Sequence, residues 1–257
     1  RTDSPDYRRI TQATFIELWN KGLIYEDVKP NNYCPVCQTT IADAEIEYRE
    51  FLTELVYIKF KVKETREKIE IATTRPELLC ACRAVLVHPE DERYLSLHGK
   101  HAIVPIYKKE VPIIPHPAAK MEFGTGIMMV CSYGDYADIR LFRELKLKPV
   151  DAIDDKGKMK EVAGEYKGLT VEECRKKIVK DLKKLGLLEK EEDYLIKIPK
   201  CYRCGTVIEF LPSKQWFVKM KVLAKLAMEP VRKGKIKFFP KRWERTYLNW
   251  LRSARDW

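Results

Sequence analysis

Four of the eight cysteines form two Cys-x-x-Cys pairs, Cys34/Cys37 and Cys201/Cys204, with most of the chain between them. A two-residue spacer lets one tight turn present two thiolates to a tetrahedral metal, at metal–sulfur distances of about 2.3 Å. Gly205 suits such a turn because it tolerates positive φ. Cys34, Cys37, Cys201 and Cys204 thus offer one complete ligand set for Zn²⁺. Four thiolates leave no open position for water, so the predicted zinc is structural. A redox pair or four unmetallated thiols are the alternatives, and the repetition of the knuckle pattern favours the metal. The constraint on the fold is strong. Whatever lies between the pairs must loop out and return to its starting point. Cys80, Cys82, Cys131 and Cys174 lie mostly within apolar stretches and read as small buried hydrophobes.

The looped-out region is rich in strand patterns. Val56, Ile58, Phe60 and Val62 alternate with Tyr57, Lys59 and Lys61, and Lys68–Thr73 alternates too, so the polar turn at 64–67 predicts a hairpin. Further β runs cover 84–88, 102–106, 111–114 and 127–131. Pro105, Pro112, Pro115 and Pro117 point to edges, bulges or bends there. Helices are predicted at 7–23 and from an Asp135 cap to about 146. Another begins at the Thr170/Glu173 capping box and is closed by Gly186. The fold class expected is α+β, mostly β. It has a closed or nearly closed β-barrel core with peripheral helices and a small zinc-ribbon module of four cysteines. The expected division is 1–50 for a connecting helix and first knuckle, 51–195 for the barrel, and 196–257 for the second knuckle and a return segment.

The net charge is +11, which suits a polyanionic partner such as RNA. No apolar run approaches the roughly 20 residues of a membrane span, and the polar N-terminal stretch has no signal-peptide pattern. A cytoplasmic, monomeric protein with no membrane partner is expected. No Gly-x-Ser-x-Gly elbow occurs, and His88, His98, His101 and His116 show no metal spacing.

Three motifs carry chemistry. Thr73, Thr74 and Arg75 end a strand with two hydroxyls and a guanidinium, followed by Pro76-Glu77. Taken alone they read more readily as a strand leaving the core through polar residues, and a functional reading needs neighbours that hold a substrate ester or meet a phosphate. Gly124-Thr125-Gly126 is a small-residue loop that lets a ligand approach backbone N–H groups. Asp135 and Asp138 share the first turn of a helix, where they either cap it and favour its dipole or hold a substrate ammonium.

In this order the motifs resemble the editing domain shared by valyl-, isoleucyl- and leucyl-tRNA synthetases. The resemblance rests on Thr73–Glu77, the stretch 84–94, Gly124–Gly126 with Asp135 and Asp138, and the two knuckles. It extends through Lys214–Val218 and 249–257. It covers nearly the whole chain, and the valine type fits best. It implies hydrolysis of the ester between a wrong amino acid, threonine, and the terminal adenosine of a tRNA. A hydrophobic pocket cannot strongly reject an isostere bearing a hydroxyl, so a second site must; valyl-tRNA synthetase is itself the standard example of that logic.

Residue by residue, the resemblance gives Asp138 the substrate ammonium and Asp135 the threonine hydroxyl. Thr73 and Thr74 line the pocket. Arg75, Glu77, Gly124, Thr125 and Gly126 bind the tRNA terminus. Hydrolysis needs no cofactor. The mischarged tRNA and the rest of a parent synthetase are the implied partners, and ATP belongs to that parent. His-Ile-Gly-His and Lys-Met-Ser-Lys-Ser signatures are absent, so amino-acid activation is not expected of this chain. Leu78, Met129, Cys131 and Gly134 stand where the commoner bacterial pattern has Thr, Lys, Thr and His, which implies an archaeal type. The remaining alternatives are isoleucine- or leucine-type editing, and a non-catalytic, zinc-stabilised tRNA-binding module.

Overall fold

The computed structural model describes residues 1–257. In chain order, α1 (Pro5–Asn20) leads to β1 (Ile24–Cys34), β2 (Thr39–Thr40), β3 (Ile46–Val62), β4 (Lys68–Thr73) and β5 (Cys82–Val87). Then come β6 (His101–Ile103), β7 (Glu110–Pro115), β8 (Ile127–Cys131), α2 (Tyr136–Glu144) and α3 (Val171–Lys184). β9 (Leu188–Cys201), β10 (Glu209–Val218), α4 (Met220–Arg232) and α5 (Arg242–Arg252) complete the chain. Two compact units form, Arg1–Lys29 with Ser213–Trp257, and Pro30–Pro212. No helix is long and apolar enough to cross a membrane.

The smaller unit combines α1, α4 and α5 with parts of β1 and β10. Ser4 caps α1 by accepting from the Tyr7 N–H, and Pro5 starts it where a missing N–H costs nothing. Phe15 and Trp19 meet Trp216 edge-on, at centroid distances of 5.4 and 5.3 Å. The chain end folds back on β10 through hydrogen bonds exchanged between Val218 and Trp257.

The larger unit is built on a seven-stranded sheet of order β4-β3-β6-β7-β5-β8, with β9 paired to β3. The hairpin between β3 and β4 forms in the register the alternation predicts, from Val56↔Thr73 to Lys61↔Lys68. Val56, Ile58, Phe60 and Val62 turn inward with Ile69 and Ile71. β5 is buried on both faces. Val85 and Val87 face the main core, while Ala84 and Leu86 pack with Val130, Leu141 and Phe142 under α2. That double burial explains its unbroken apolar run. α3 carries the expected capping box and covers the core with Cys174, Ile178, Val179 and Leu182.

The closed or nearly closed barrel is not formed. The sheet is open and curled, with β4 and β8 as edges that share no ladder. In place of a ladder, the Thr125 hydroxyl donates to the Glu70 carbonyl at 2.6 Å. β7 departs from the proline reading in another way. It lies inside the sheet, antiparallel to β6 and parallel to β5. Pro112 is accommodated because the β5 ladder begins only at Val85↔Ile113, so its missing N–H falls just before the ladder. The sequence also gives no sign of the ribbon between β3 and β9, paired from Ile46↔Cys201 to Ile58↔Leu188. This ribbon carries the chain out from the first knuckle and back to the second.

Candidate functional site

The two knuckles meet. The Sγ atoms of Cys34, Cys37, Cys201 and Cys204 all lie within 4.8 Å of one another. A tetrahedron with metal–sulfur bonds of about 2.3 Å has sulfur–sulfur edges of about 3.8 Å, so the cluster could hold a metal of that kind. The two turns match locally. Gln38 and Gly205, each just after the second cysteine of its pair, have φ of 51° and 73°. The Cys37 N–H donates to Cys34 Sγ at 3.4 Å. Cys34 and Cys201 are buried against Ile41 and Ile208. The Thr206 hydroxyl, 3.2 Å from Cys204, pulls that thiol down to about 6, while the neighbouring Cys204 sulfur pushes Cys37 up to about 12.

The Gly124–Gly126 loop and the Gly134 turn that precedes Asp135 both contact the segment 70–75. β4 ends in Thr73, whose hydroxyl accepts from the Arg75 N–H at 3.0 Å. Thr74 is half-buried beside it. The Gly124–Gly126 loop lies against the same strand. A Cβ on Gly124, at φ +57°, would stand 2.7 Å from Ala72 Cβ, so only glycine fits that approach. A Cβ on Gly126 would stand 2.6 Å from an Arg93 nitrogen. Arg93 is held by Asp91 and donates to the Met121 carbonyl at 3.0 Å, and the Tyr94 hydroxyl donates to the Thr125 carbonyl at 2.8 Å. Asp91, Arg93 and Tyr94 therefore clamp the loop. Phe123, just before it, is exposed and meets Tyr194 edge-on at 5.8 Å.

Asp138 is only 8% exposed. Asp135 is exposed and caps α2 by accepting from the Asp138 N–H at 2.8 Å. The Asp138 carboxylate accepts from the Cys131 N–H at 3.3 Å, and no lysine or arginine bonds to it. Burial pushes its carboxyl well above the ordinary range, and the nearby Asp135 charge adds to the rise. A Cβ on Gly134 would stand 2.1 Å from Asp138 Oδ2 and 3.5 Å from Leu78 Cδ1. Gly134 thus lies directly against this carboxylate, the Cys131 N–H bonds it, and Leu78 lies beside Gly134.

Arg75 and Glu77 are engaged within the protein. The Arg75 guanidinium donates to Glu77 at 3.0 Å, to the Gly134 carbonyl at 2.9 Å and to Glu209 at 2.7 Å. Glu77 is fully buried, and Arg175 donates to both its oxygens at 2.9 and 2.8 Å. Burial alone would raise the Glu77 carboxyl, but Arg175 and Arg75 outweigh it and hold it below the ordinary range. The network braces the turn that carries Gly134 and Asp138. Sequence reasoning missed Arg175 and Glu209. A lone acid within Ile208-Glu209-Phe210-Leu211 is the one signal available for Glu209. Arg175 sits among many basic residues on α3 and gives none.

Residues 2–257 match the family described as tRNA synthetases class I (I, L, M and V). The chain is 50% identical to a valine–tRNA ligase of Nanoarchaeum equitans, over all of this chain and 34% of that protein. Against the valine–tRNA ligase of Pyrobaculum aerophilum it is 48% identical, over all of this chain and 32% of the relative. For that of Thermotoga maritima the figures are 45%, 97% and 29%. The chain spans about a third of the length of these relatives. A family match over nearly every residue, joined to identities near one half, establishes that the chain belongs to the class I tRNA synthetases, as a region homologous to valine–tRNA ligase.

Proposed function

We propose that this region is the proofreading site of a valine-type synthetase and hydrolyses the ester of threonine wrongly attached to tRNA. One observation carries the reading. Asp138 is a buried carboxylate with no bonded cation. Such a group is costly unless a charge arrives to pair with it, and perturbed buried carboxyls concentrate at functional sites. The α-ammonium of an aminoacyl ester supplies that charge. The surroundings agree with it. Thr73 and Thr74 offer hydroxyls, the Gly124–Gly126 loop offers close backbone approach, and exposed Asp135 stands one turn away to accept from a substrate hydroxyl.

In this reading water attacks the ester carbonyl and the carbonyl–ribose oxygen bond breaks. Free threonine leaves as a carboxylate; of the water's two protons, one goes to the departing ribose oxygen, making the tRNA hydroxyl, and the other goes to solvent. No side chain stands out as general base, so positioning and the terminal ribose hydroxyl assist the water. Gly124, Thr125 and Gly126 meet the terminal adenosine. Arg75 and Glu77, assigned to the tRNA terminus from the sequence, act here by holding the Gly134 turn. The four cysteines hold a structural Zn²⁺, and hydrolysis uses no cofactor. The +11 charge supports tRNA as partner, with the remainder of a synthetase as the other.

The test is deacylation of Thr-, Val- and Ile-tRNA by wild type and Asp138→Ala. Hydrolysis of Thr-tRNA by wild type and its loss in a folded Asp138→Ala is the expected result. Binding of all three without hydrolysis of any would instead favour a non-catalytic tRNA-binding module.

A further inference from the structure

The four-cysteine module and the Asp138 turn are joined by two side-chain tethers, both within Pro30–Pro212. The first runs through β10. Ile208 packs against Cys34, Ile41 and Cys201, and the next residue, Glu209, accepts from Arg75 at 2.7 Å. Arg75 in turn holds the Gly134 carbonyl at 2.9 Å. The second starts from α2. The Tyr136 hydroxyl bonds Asp43 at 2.7 Å and Asn32 at 2.9 Å, and the Asn32 amide donates to Asp43 at 2.7 Å. Asn32 precedes the first knuckle closely, and Asp43 follows it. The Tyr136 ring meets Phe210 edge-on at 4.6 Å, which ties the two tethers to each other. Gly134 and Tyr136 bracket Asp135 and precede Asp138, so the tethers hold the backbone on either side of Asp135 and the start of the helix that carries Asp138.

We infer that Glu209 and Tyr136 are positioning residues through which the metal-bound knuckles set the geometry of the Asp135–Asp138 turn. The inference rests on the proofreading reading only for its kinetic consequence. The mechanical link stands on the distances alone. Glu209 is 5% exposed and points its carboxylate at the guanidinium that fixes the turn. If the knuckles loosen, Ile208 and Asn32 lose their fixed positions. Arg75 then keeps Glu77 but loses the partner that orients its far nitrogen. A misplacement of about 1 Å at a reacting group can cost on the order of a hundredfold in rate.

The experiment uses the full chain, metal-loaded and after treatment with a thiol-compatible chelator. The variants are Glu209→Gln, Tyr136→Phe and the pair. Two readouts are taken, kcat and KM on Thr-tRNA and hydrogen–deuterium exchange of peptides spanning 131–139 and 82–87. Expected on metal removal is faster exchange in 131–139, little change in 82–87, and a kcat lower by about tenfold or more. The loaded double variant should already show both effects, and chelation should then add less than about twofold, the signature of one shared path. Unchanged exchange in 131–139 on metal loss would overturn the tether. So would fully additive effects of chelation and the double variant. A wild type that never hydrolyses Thr-tRNA yet shows the exchange response would sink the proofreading reading and leave the tether intact.

Discussion

Glu77→Gln keeps the shape of a fully buried side chain and deletes its charge. Removing one partner of a buried ion pair generally costs about 3–5 kcal/mol, because the other charge is left uncompensated. Two arginines share Glu77, and they fare differently. Arg75 retains Glu209 at 2.7 Å and the Gly134 carbonyl at 2.9 Å. Arg175 has no other partner, but its side chain is 31% exposed and can turn toward water. The loss therefore falls at the low end, about 3 kcal/mol. For a unit of this size that lowers Tm by roughly 6–12 °C. Thermal unfolding followed by circular dichroism at several pH values measures it. The Glu77 carboxyl is held below its ordinary value. Its contribution is thus complete above the unfolded pKa of about 4.3 and fades as pH falls through the lower folded value. The gap between wild type and variant should follow that course. Glu77→Gln combined with Arg175→Met should recover part of the loss, because both buried charges then go together. A Tm drop below about 2 °C, or a double variant weaker than the single one, would refute the reasoning.

Asp138 has the opposite sign. Its carboxyl is raised by burial, so its contribution to stability is present below the unfolded pKa of about 3.9 and is lost as pH rises through the folded value. Asp138→Asn should melt higher than wild type at pH 7 and equal to it near pH 3, while hydrolysing no Thr-tRNA; a lower Tm at pH 7 counts against this account. For the wild type, kcat/KM on Thr-tRNA should rise with pH through the same ionisation, read from a pH–rate profile. Gly134→Ala places a methyl 2.1 Å from Asp138 Oδ2 and should cost about 1–3 kcal/mol by denaturant titration, with loss of hydrolysis. Thr170→Ala removes a complete capping box and should cost about 1 kcal/mol on the same assay without changing kcat.

Much of this protein was legible in the sequence because its signals are local. The α3 capping box, the Asp135 cap, the hairpin register of β3 and β4 and the two knuckle turns each depend on residues a few positions apart. The ordered motifs at 73–77, 124–126 and 135–138 were enough to indicate a family. Tertiary structure alone decided the rest. The outer half of β3 is largely solvent-exposed and β9 is exposed or half-buried along nearly its whole length, on mixed polar and apolar residues, so no clean alternation marks the ribbon. Whether the sheet closes depends on edges far apart in sequence, and a side-chain bond from Thr125 stands where a ladder would have been. Asp138 reads as an ordinary first-turn carboxylate, and only the tertiary structure buries it, beside Gly134 and the Cys131 N–H, with no cation bonded to it. Glu77 lies only two residues from Arg75, but Gly134 and Glu209 are brought to that guanidinium from two distant segments. Spacing fixes what a residue can do with its neighbours along the chain. Desolvation and the identity of a charge's partner depend on contacts that spacing does not encode.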